Sequence, residues 1–403
     1  MAKGLHGLVI ALATLALTTM GHAQETFKIG VLTDFSGNFS APTGQGSLLA
    51  ARMAVEDFGK PIGGKKIEVV SADHQNKPDT GAQIANRWVD VEHVNAIIDL
   101  ANSSVAMAVN SVTKRANKAL LVSGGATTAL TGEQCAPTTV HWTFDNYAIA
   151  HAVGLSAVRT IGKRWFFVTA DFAFGKDLEQ NVAGVVKANG GQVLGSVRHP
   201  LGSNDFSSFI LQAQSSKAEV VALANGGADT TNSIKAAHEF GLDKSGQKLV
   251  ALAATILDVR ALGLETAQGL LISTPFYWNL NEGTRTWSQR FEKVHGAMPT
   301  FIQAGVYAAT LHYLKAAATV KDPSDGAAVV AAMKKMPTDD PLFGKGKIRE
   351  DGRKLHDFFL FKVKKPSESK EPWDFYERVA TASKDEIFRP LSEGKCSFLQ
   401  AKH

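Results

Sequence analysis

The sequence predicts an α/β protein of two doubly wound parallel-sheet lobes joined by three crossovers. Short, nearly continuous apolar runs recur along the chain, and amphipathic helix patterns separate them. This alternation is typical of parallel strands that helices cover on both faces. It breaks in residues 123–146, where turn-forming residues replace the helix pattern. We therefore expect the chain to leave one lobe at this break and to enter a second one after it.

The predicted strands form two series, one on each side of the break. Each is a short β-rich run, mostly apolar, that ends in small or polar residues. The first series comprises Phe27–Leu32, Ile67–Ala72, Ala96–Leu100 and Ala119–Val122, and the second comprises Trp165–Val168, Gln192–Val197, Val220–Ala224, Leu249–Leu252 and Leu270–Ser273.

The helices are predicted from the segments between these runs. Ser47–Phe58 places Leu48, Ala51 and Val55 along one stripe, and Asp177–Asn189 ends at two glycines that favour a helix stop. The other predicted elements are the helices Tyr147–Ile161, Ser207–Ser215, Arg285–His295 and Gln303–Val320 and the strand Phe358–Val363.

Two later breaks complete the predicted lobe boundaries. A second crossing is expected near Thr274–Trp278, and a last return begins at Gly344–Gly352. Lobe 1 is therefore predicted as residues 26–144 plus 275–343, and lobe 2 as 145–274 plus 344–385. A C-terminal tail, 386–403, follows.

The N-terminus predicts export. Lys3 precedes an apolar run from Leu8 to Leu17, and small residues, Gly21 and Ala23, stand before Gln24. This is the pattern of a cleaved signal peptide, residues 1–23, and the run is too short to span a bilayer. The alternative is a buried N-terminal helix. We expect a periplasmic protein.

Cys135 and Cys396 are the two cysteines of the chain. In an oxidising compartment an isolated pair is more often bridged than free, so we predict one disulfide, with two buried thiols as the alternative.

Composition and motifs point away from several functions. The net charge of +5 is modest and the one short basic cluster, Lys362–Lys365, fits a solvated strand end, so no nucleic-acid partner is expected. The chain has neither a CxxC nor an HExxH motif, which argues against a metal site. Thr43–Gly46 lacks the strand–turn–helix context of a dinucleotide fingerprint, and no phosphate-binding loop or serine elbow occurs. We expect neither a cofactor nor an enzyme.

Two strand-to-helix junctions carry similar polar groups. One is Ala101-Asn102-Ser103-Ser104 after the third strand, and the other is 123–128, which begins Ser123-Gly124-Gly125. Ligands of open α/β sheets lie beyond the carboxyl ends of the strands, where helix N-termini and hydroxyls favour a carboxylate. Helix capping is an equally good interpretation of either junction alone.

At these residues the chain resembles the branched-chain amino-acid-binding family of periplasmic proteins, the leucine/isoleucine/valine type. Its opening strand and loop, 29–37, resemble those of the family. The Asn102–Ser104 loop, the segment 124–130, the DFAFG segment at Asp171–Gly175 and Asn204-Asp205-Phe206 follow in the family's order. The match covers residues 27–275 well and the remainder loosely.

The resemblance implies a type I fold whose two lobes close on a ligand. It also implies a monomer that delivers this ligand to an ABC permease and its ATPase. In the family, first-lobe loops hold the ligand carboxylate, and second-lobe loops complete the site. The residues it implies here are Asn102, Ser103, Ser104, Gly125, Ala126, Thr127, Phe174, Asn225, Gly226 and Thr255.

This chain departs from the family where the ligand's ammonium is held. Phe174 replaces a tyrosine, and no acidic residue falls at Ala253–Thr255, with Asp258 the nearest candidate. A buried ammonium without a partner is costly. We therefore expect a carboxylate with an aromatic or aliphatic body rather than an amino acid, packed against Phe174 and either Trp142 or Tyr147. The alternative for these aromatic residues, above all for Trp142, is a place in the lobe core.

Three functions remain open from the sequence. The first is a transport receptor, and the second is a periplasmic sensory receptor with the same two lobes. The third, an exported hydrolase or oxidoreductase, is disfavoured because its motifs are absent.

Overall fold

The computed structural model describes residues 25–400, so the predicted signal peptide lies outside the described residues. The first sheet has five parallel strands in the order β2-β1-β3-β4-β5. Their bounds are β1 Phe27–Thr33, β2 Ile67–Asp73, β3 Val94–Asp99, β4 Ala119–Val122 and β5 Thr139–His141.

Helices cover both faces of this sheet because its strands are apolar on both sides. Trp88 and Val105 pack on one face, while Leu48 packs on the other. The helices that follow β1, β2 and β3 are α1 Gly44–Phe58, α2 Pro78–Asp90 and α3 Ser103–Arg115, and a 3₁₀ turn, Thr128–Thr131, follows β4.

The second sheet repeats this topology with four parallel strands in the order β7-β6-β8-β9. Its entry helix consists of α4 and α5 joined by a π-helical turn, Ala150–Gly154. The bounds are α4 Asn146–Ile149, α5 Leu155–Thr160, β6 Arg164–Ala170, α6 Ala173–Ala188, β7 Gln192–His199, α7 Ser207–Ser215, β8 Val220–Ala224, α8 Ala228–Glu239, a 3₁₀ turn Asp243–Ser245, β9 Lys248–Ala251, α9 Ile256–Leu262 and α10 Leu264–Ala267.

The last third of the chain returns to both lobes. Helix α12 packs on α1, and the π-helical turn of the second lobe lies against β10 and β14. The bounds are β10 Leu271–Thr274, α11 Glu282–His295, α12 Phe301–Ala317, α13 Gly326–Lys335, β11 Thr338–Asp340, β12 Gly344–Ile348, β13 Lys354–Leu355, β14 Phe358–Val363, a 3₁₀ turn Pro366–Glu368, β15 Tyr376–Ala382, α14 Lys384–Ile387, a 3₁₀ turn Leu391–Glu393 and α15 Ser397–Gln400.

The parallel α/β architecture with two lobes is confirmed, with one correction. The run predicted at Leu270–Ser273 as the last member of the parallel series is β10, which pairs antiparallel with β14. Its apolar composition suits a covered strand of either direction, so composition alone did not reveal the pairing partner.

The lobe boundaries stay a prediction, and the structure bears most directly on the last return. β12 pairs with β11 and β13, and Arg353 bridges to His141 of the first sheet. These contacts keep 344–355 beside the first lobe and favour a return after Leu355 rather than at Gly344.

The predicted disulfide is present between Cys135 and Cys396, with an S–S distance of 2.04 Å. It ties the C-terminal tail to the loop between β4 and β5. Within residues 25–400, no helix is both long enough and apolar enough to cross a membrane.

Candidate ligand-binding crevice

A crevice lies between the carboxyl ends of the two sheets. Both sheets share the 2-1-3-4 strand order, so each has a topological switch point at which neighbouring loops diverge and leave a ligand site. Loops after β1, β3, β4 and β5 and the start of α12 line it from the first lobe, and loops after β6, β8 and β9 line it from the second. The lining residues are Phe39, Pro42, Thr43, Ala101, Ser103, Gly124, Phe144, Phe301 and Ile302, and across from them Phe172, Phe174, Gly226, Gly227, Ala253 and Thr255.

Phenylalanine rings form much of this lining. The ring of Phe39 lies 6.2 Å from that of Phe172 across the crevice, and Phe172 lies 5.9 Å from Phe174. Phe144 meets Phe301 edge to face at 5.0 Å. The atom-free space is about 460 Å³, including the part that opens to solvent. This apolar, aromatic lining suits the apolar body of a small organic molecule.

The partial charges that face the crevice belong to helix N-termini and not to ionised side chains. The N-termini of α1, α3, α6, α8 and α9 all meet here, since Thr43, Phe172, Gly227 and Thr255 are N-cap residues and Ser103 begins α3. Helix N-termini carry partial positive charge and unpaired N–H groups. Among the described residues that line the crevice, none has a charged side chain. The N-termini of α1, α3 and α6 therefore favour an anion at the crevice, while Asp229 and Asp258 lie in the first turns of α8 and α9.

Ser103 is the predicted first-lobe residue whose side chain lies at the crevice. Its Oγ accepts a hydrogen bond from the N–H of Ala126 at 3.2 Å, which joins the two predicted junctions. Asn102 is instead the cap of α3, because its Oδ1 accepts from the N–H groups of Ser104 and Val105. As ligand contacts, Asn102 and Ser104 stay predictions.

The second junction also reaches the crevice. Gly124 lines it, whereas the carbonyl of Gly125 contacts Nε2 of His141 at 2.6 Å. Ala126 N–H is held by Ser103, and Thr127 Oγ1 accepts from the N–H of Ala129 at 3.3 Å. These three residues support the loop, and their contact with a ligand stays a prediction.

In the second lobe, Phe174, Gly226 and Thr255 line the crevice, and their contact with a ligand stays a prediction. Asn225 is fully buried and holds α8 instead: its Oδ1 accepts from Thr230 and its Nδ2 donates to Ser233. Its contact with a ligand stays a prediction.

Asp258, the candidate partner for an ammonium, is engaged by Thr255 at the start of its own helix and by Thr231 of α8. Its Oδ2 accepts from the N–H and Oγ1 of Thr255 at 2.7 and 2.8 Å, and its Oδ1 accepts from Thr231. Burial raises the pKa of the Asp258 carboxyl, and these hydrogen bonds act in the opposite direction. The side chain is a buried helix cap and is absent from the described lining.

Neither of the two aromatic residues expected to accompany Phe174 lines the crevice. Trp142 is fully buried, with its ring 5.4 Å from His312, and Tyr147 stacks on His151 at 3.9 Å. The rings that do line it, Phe39, Phe144, Phe172 and Phe301, were not predicted. Phe39 and Phe172 follow β1 and β6, so the carboxyl-end rule could have found them, whereas Phe301 begins a distant helix and gave no local signal.

The backbone leading to Ser103 is strained. Asp99 and Leu100 have φ angles of 86° and 60°, a region that residues other than glycine rarely adopt. Such strain concentrates at functional sites and persists where surrounding contacts enforce it. Burial raises the pKa of Asp99 to about 6, with the hydroxyls of Ser47 and Thr33 acting in the opposite direction.

Asn38 joins the two lobes across the crevice. Its Nδ2 donates to the carbonyl of Gly226 at 2.8 Å, and its Oδ1 accepts from the N–H of Asp229 at 3.1 Å. Its own carbonyl accepts from the N–H of Ala228, also at 3.1 Å. Gly227 has a φ of 64°, and a β-carbon there would overlap the Asn38 carbonyl. The lobes are therefore in a closed arrangement.

A second contact between the lobes lies nearer the first crossover. Thr128 donates from its N–H and its Oγ1 to the carboxylate of Asp177 on α6, both at 2.9 Å. Asn146 donates to the same carboxylate at 2.8 Å. Burial raises the pKa of Asp177, and these hydrogen bonds lower it.

No group of three or more His, Cys, Asp or Glu side chains between residues 25 and 400 is placed to hold a metal ion.

The chain matches the family described as "Periplasmic binding protein" over residues 26–370. A periplasmic binding protein from Burkholderia mallei shares 49% identity with it at a TM-score of 0.90, covering 92% of this chain and 98% of that one. A branched-chain amino acid ABC transporter periplasmic ligand-binding protein from Burkholderia xenovorans LB400 shares 36% identity at a TM-score of 0.81, covering 92% and 99%.

More distant relatives extend the likeness. A "Leu/Ile/Val-binding protein homolog 6" from Brucella melitensis biotype 1 is 27% identical over 86% of this chain and 89% of its own length. A solute-binding protein of an ABC transporter from Rhodopseudomonas palustris BisB5, in complex with 3,4-dihydroxybenzoic acid, is 23% identical at a TM-score of 0.80, covering 91% and 99%. This last likeness shows the fold alone.

Proposed function

The chain belongs to the periplasmic binding protein family, and on that basis we propose that it is the substrate-binding component of an ABC importer. Its ligand is a small carboxylate-bearing solute, an aromatic or aliphatic acid in preference to an amino acid. One observation carries this choice: helix N-termini from both lobes converge on an aromatic crevice whose described lining has no charged side chain.

The carboxylate belongs at the first-lobe wall. Ser103 Oγ already accepts a hydrogen bond from Ala126, so its own O–H is free to donate to an anion. The N-termini of α1 and α3 add a favourable electrostatic field on the same side. The phenylalanine rings then surround the apolar body of the ligand.

An amino acid fits this crevice less well because its ammonium would have no partner. The helix N-termini repel a cation, and Asp258 is already used by Thr231 and Thr255. A hydrogen bond to a charged group contributes about 1.5–3 kcal/mol, which the buried ammonium would lose. The ligand proposed here therefore differs from the branched-chain amino acid in the name of the Burkholderia xenovorans relative.

Delivery completes the proposed role. The signal-peptide pattern supports a periplasmic location, and the closed lobes would present the loaded ligand to an inner-membrane permease driven by its ATPase. Deletion of the gene should abolish uptake of the bound acid at low concentration if the protein is a transport receptor. A sensory receptor would instead leave uptake intact and abolish the transcriptional or chemotactic response.

The ligand class is tested by titration calorimetry on protein that has been unfolded and refolded to remove any carried ligand. Benzoate or 3-phenylpropanoate should bind at least tenfold more tightly than leucine, about 1.4 kcal/mol or more. Sub-micromolar binding of leucine would contradict the proposal and would mean that an acidic partner for the ammonium has been overlooked.

A further inference from the structure

A second cavity adjoins the crevice on the side of the crossover near Thr274–Trp278. We call it the distal cavity; Thr274, Tyr277 and Tyr376 are among its walls, and it shares Thr255 and Phe301 with the crevice. It has room for about one water-sized group. Thr255 and Phe301 stand between the two spaces, so a ligand longer than the crevice reaches the distal cavity only where these two side chains move apart.

Tyr376 brings an unused polar group to the distal cavity. The residue is 6% exposed, and its hydroxyl has no hydrogen-bond partner among residues 25–400. The neighbouring Tyr277 differs, since its hydroxyl donates to the carbonyl of Trp373 at 2.9 Å and accepts from the N–H of Phe375. A buried hydroxyl without a partner costs about 1–3 kcal/mol, so its presence calls for an explanation.

The Tyr376 ring is held in place by its neighbours. It lies 4.9 Å from the ring of Tyr277 and 5.4 Å from that of Phe361. Tyr376 also begins β15, where it pairs with Val363 of β14. A ring fixed between a strand and two aromatic neighbours cannot readily swing its hydroxyl toward another acceptor.

We propose that the distal cavity is a subsite for a polar group at the far end of the ligand and that Tyr376 is its hydrogen-bonding residue. This rests on the proposed function, because it takes the ligand carboxylate to lie near Ser103 and its body to lie among the phenylalanines. The far end then lies at Thr255 and Phe301, at the entrance to the distal cavity. The class of ligand is an aryl or alkyl acid with a hydroxyl or carbonyl opposite its carboxylate.

Two matched pairs of acids test the subsite, each differing by one hydroxyl at the far end of the ring. They are benzoate with 4-hydroxybenzoate and 3-phenylpropanoate with 3-(4-hydroxyphenyl)propanoate. In the native protein the hydroxylated member of at least one pair should bind about tenfold more tightly, the effect of one hydrogen bond of about 1.4 kcal/mol. The pair with the larger preference for its hydroxylated member shows which length of acid spans from Ser103 to Tyr376.

Tyr376→Phe should reduce that preference to about onefold while leaving the affinity of the unsubstituted acid unchanged. The variant removes an unpartnered hydroxyl and no ring, so it should fold and melt at least as well as the native protein. Tyr313→Phe is the matched control. Tyr313 is a fully buried tyrosine of α12 whose hydroxyl also has no partner among the described residues, and it packs on Phe27, outside both cavities.

The outcomes separate the subsite from the proposed function. If the acids bind but the hydroxyl gives no preference, or if the preference survives in Tyr376→Phe, the subsite is overturned while carboxylate binding stands. A preference lost equally in Tyr313→Phe would also overturn it, since the effect would then not be local. If none of the four acids binds the native protein, both proposals fail.

Discussion

Ser103 uses its hydroxyl oxygen as an acceptor within the protein and keeps its O–H donor for a ligand. Its Oγ accepts from the N–H of Ala126, and this contact fixes the hydroxyl at the first-lobe wall of the crevice. Phe174 has the opposite character, since its phenyl ring offers no hydrogen-bonding group at the second-lobe wall. Together these two residues make one wall suited to a carboxylate and the other suited to an apolar body.

Replacing Ser103 with alanine should therefore weaken acid binding by roughly 10- to 100-fold. The change removes a donor to a charged ligand, about 1.5–3 kcal/mol, and leaves the N–H of Ala126 without its acceptor. Calorimetry with the tightest-binding acid measures the effect. Ser288→Ala, which truncates a fully buried serine of α11 away from the crevice, is the control and should bind as the native protein does. Native affinity in Ser103→Ala would show that the carboxylate lies elsewhere.

Sequence reasoning found the loops of the site more reliably than their side chains. Ser103, Phe174, Gly226 and Thr255 line the crevice, while Asn102 caps a helix. At a strand-to-helix junction, capping and ligand binding use the same residue types, so the type alone does not distinguish them. The crevice ring of Phe301 depends on long-range packing, which no local pattern encodes.

At the scale of elements, α8 obtains its N-terminal cap from the opposite lobe. Within the described chain its own N-cap, Gly227, offers no side-chain hydrogen bond, and Asn38 supplies acceptors for the first N–H groups instead. Capping of this kind contributes typically about 1 kcal/mol. Because Asn38 lies on β1's loop and α8 on the second lobe, that stabilisation is present when the lobes are closed and is lost when they part.

Asn38→Ala should therefore weaken every ligand by a similar factor, about three- to tenfold. A protein whose closed state is less populated loses apparent affinity in proportion, whatever the ligand. Titrating benzoate and its hydroxylated counterpart should show equal losses, and small-angle scattering at partial saturation should show a larger radius of gyration. Asn232→Ala, which removes a contact from α8 to Ser203 within one lobe, is the control. A loss that differs strongly between ligands would instead make Asn38 a ligand contact.

The sequence predicted the parallel elements well because their signals are local. Ala119–Val122, Val220–Ala224 and Ser207–Ser215 begin and end where predicted. The antiparallel partner of β10 was missed because β14 lies some 90 residues further along the chain, and β5 was missed because Thr139–His141 is too short to show a pattern.

On the scale of the whole molecule, the C-terminal tail fastens the region where the lobes meet. Arg389 donates to the carbonyl of Thr128 at 3.1 Å, and its own carbonyl accepts from Arg349 at 2.7 Å. The guanidinium of Arg353 lies over the ring of Phe388 at 4.7 Å. The tail thus reaches both the loop after β4 and the segment between β12 and β13, and Cys396 then joins it covalently to Cys135.

The Cys135–Cys396 bond closes a loop of 261 residues, so its loss should lower stability without changing the ligand site. A chain-entropy argument gives about 5 kcal/mol as an upper value, since residual structure in the unfolded chain reduces the effect. The Cys135→Ser/Cys396→Ser double variant should therefore unfold at a lower denaturant concentration than the native protein. Its affinity for the acid should stay unchanged, because neither cysteine lines the crevice in the described structure.

Alkylation of denatured native protein without reductant gives an independent measurement of the bond. Both cysteines are buried, so denaturation is needed to make any free thiol accessible. An unchanged intact mass is expected, with two added groups only after reduction. Two added groups before reduction would mean that the exported protein does not form the bond, and the loss of stability in the double variant would then have to come from packing at the two sites. If instead the bond forms and the double variant also loses affinity, the tail must act on lobe closure as well as on stability, through the contact between Arg389 and Thr128.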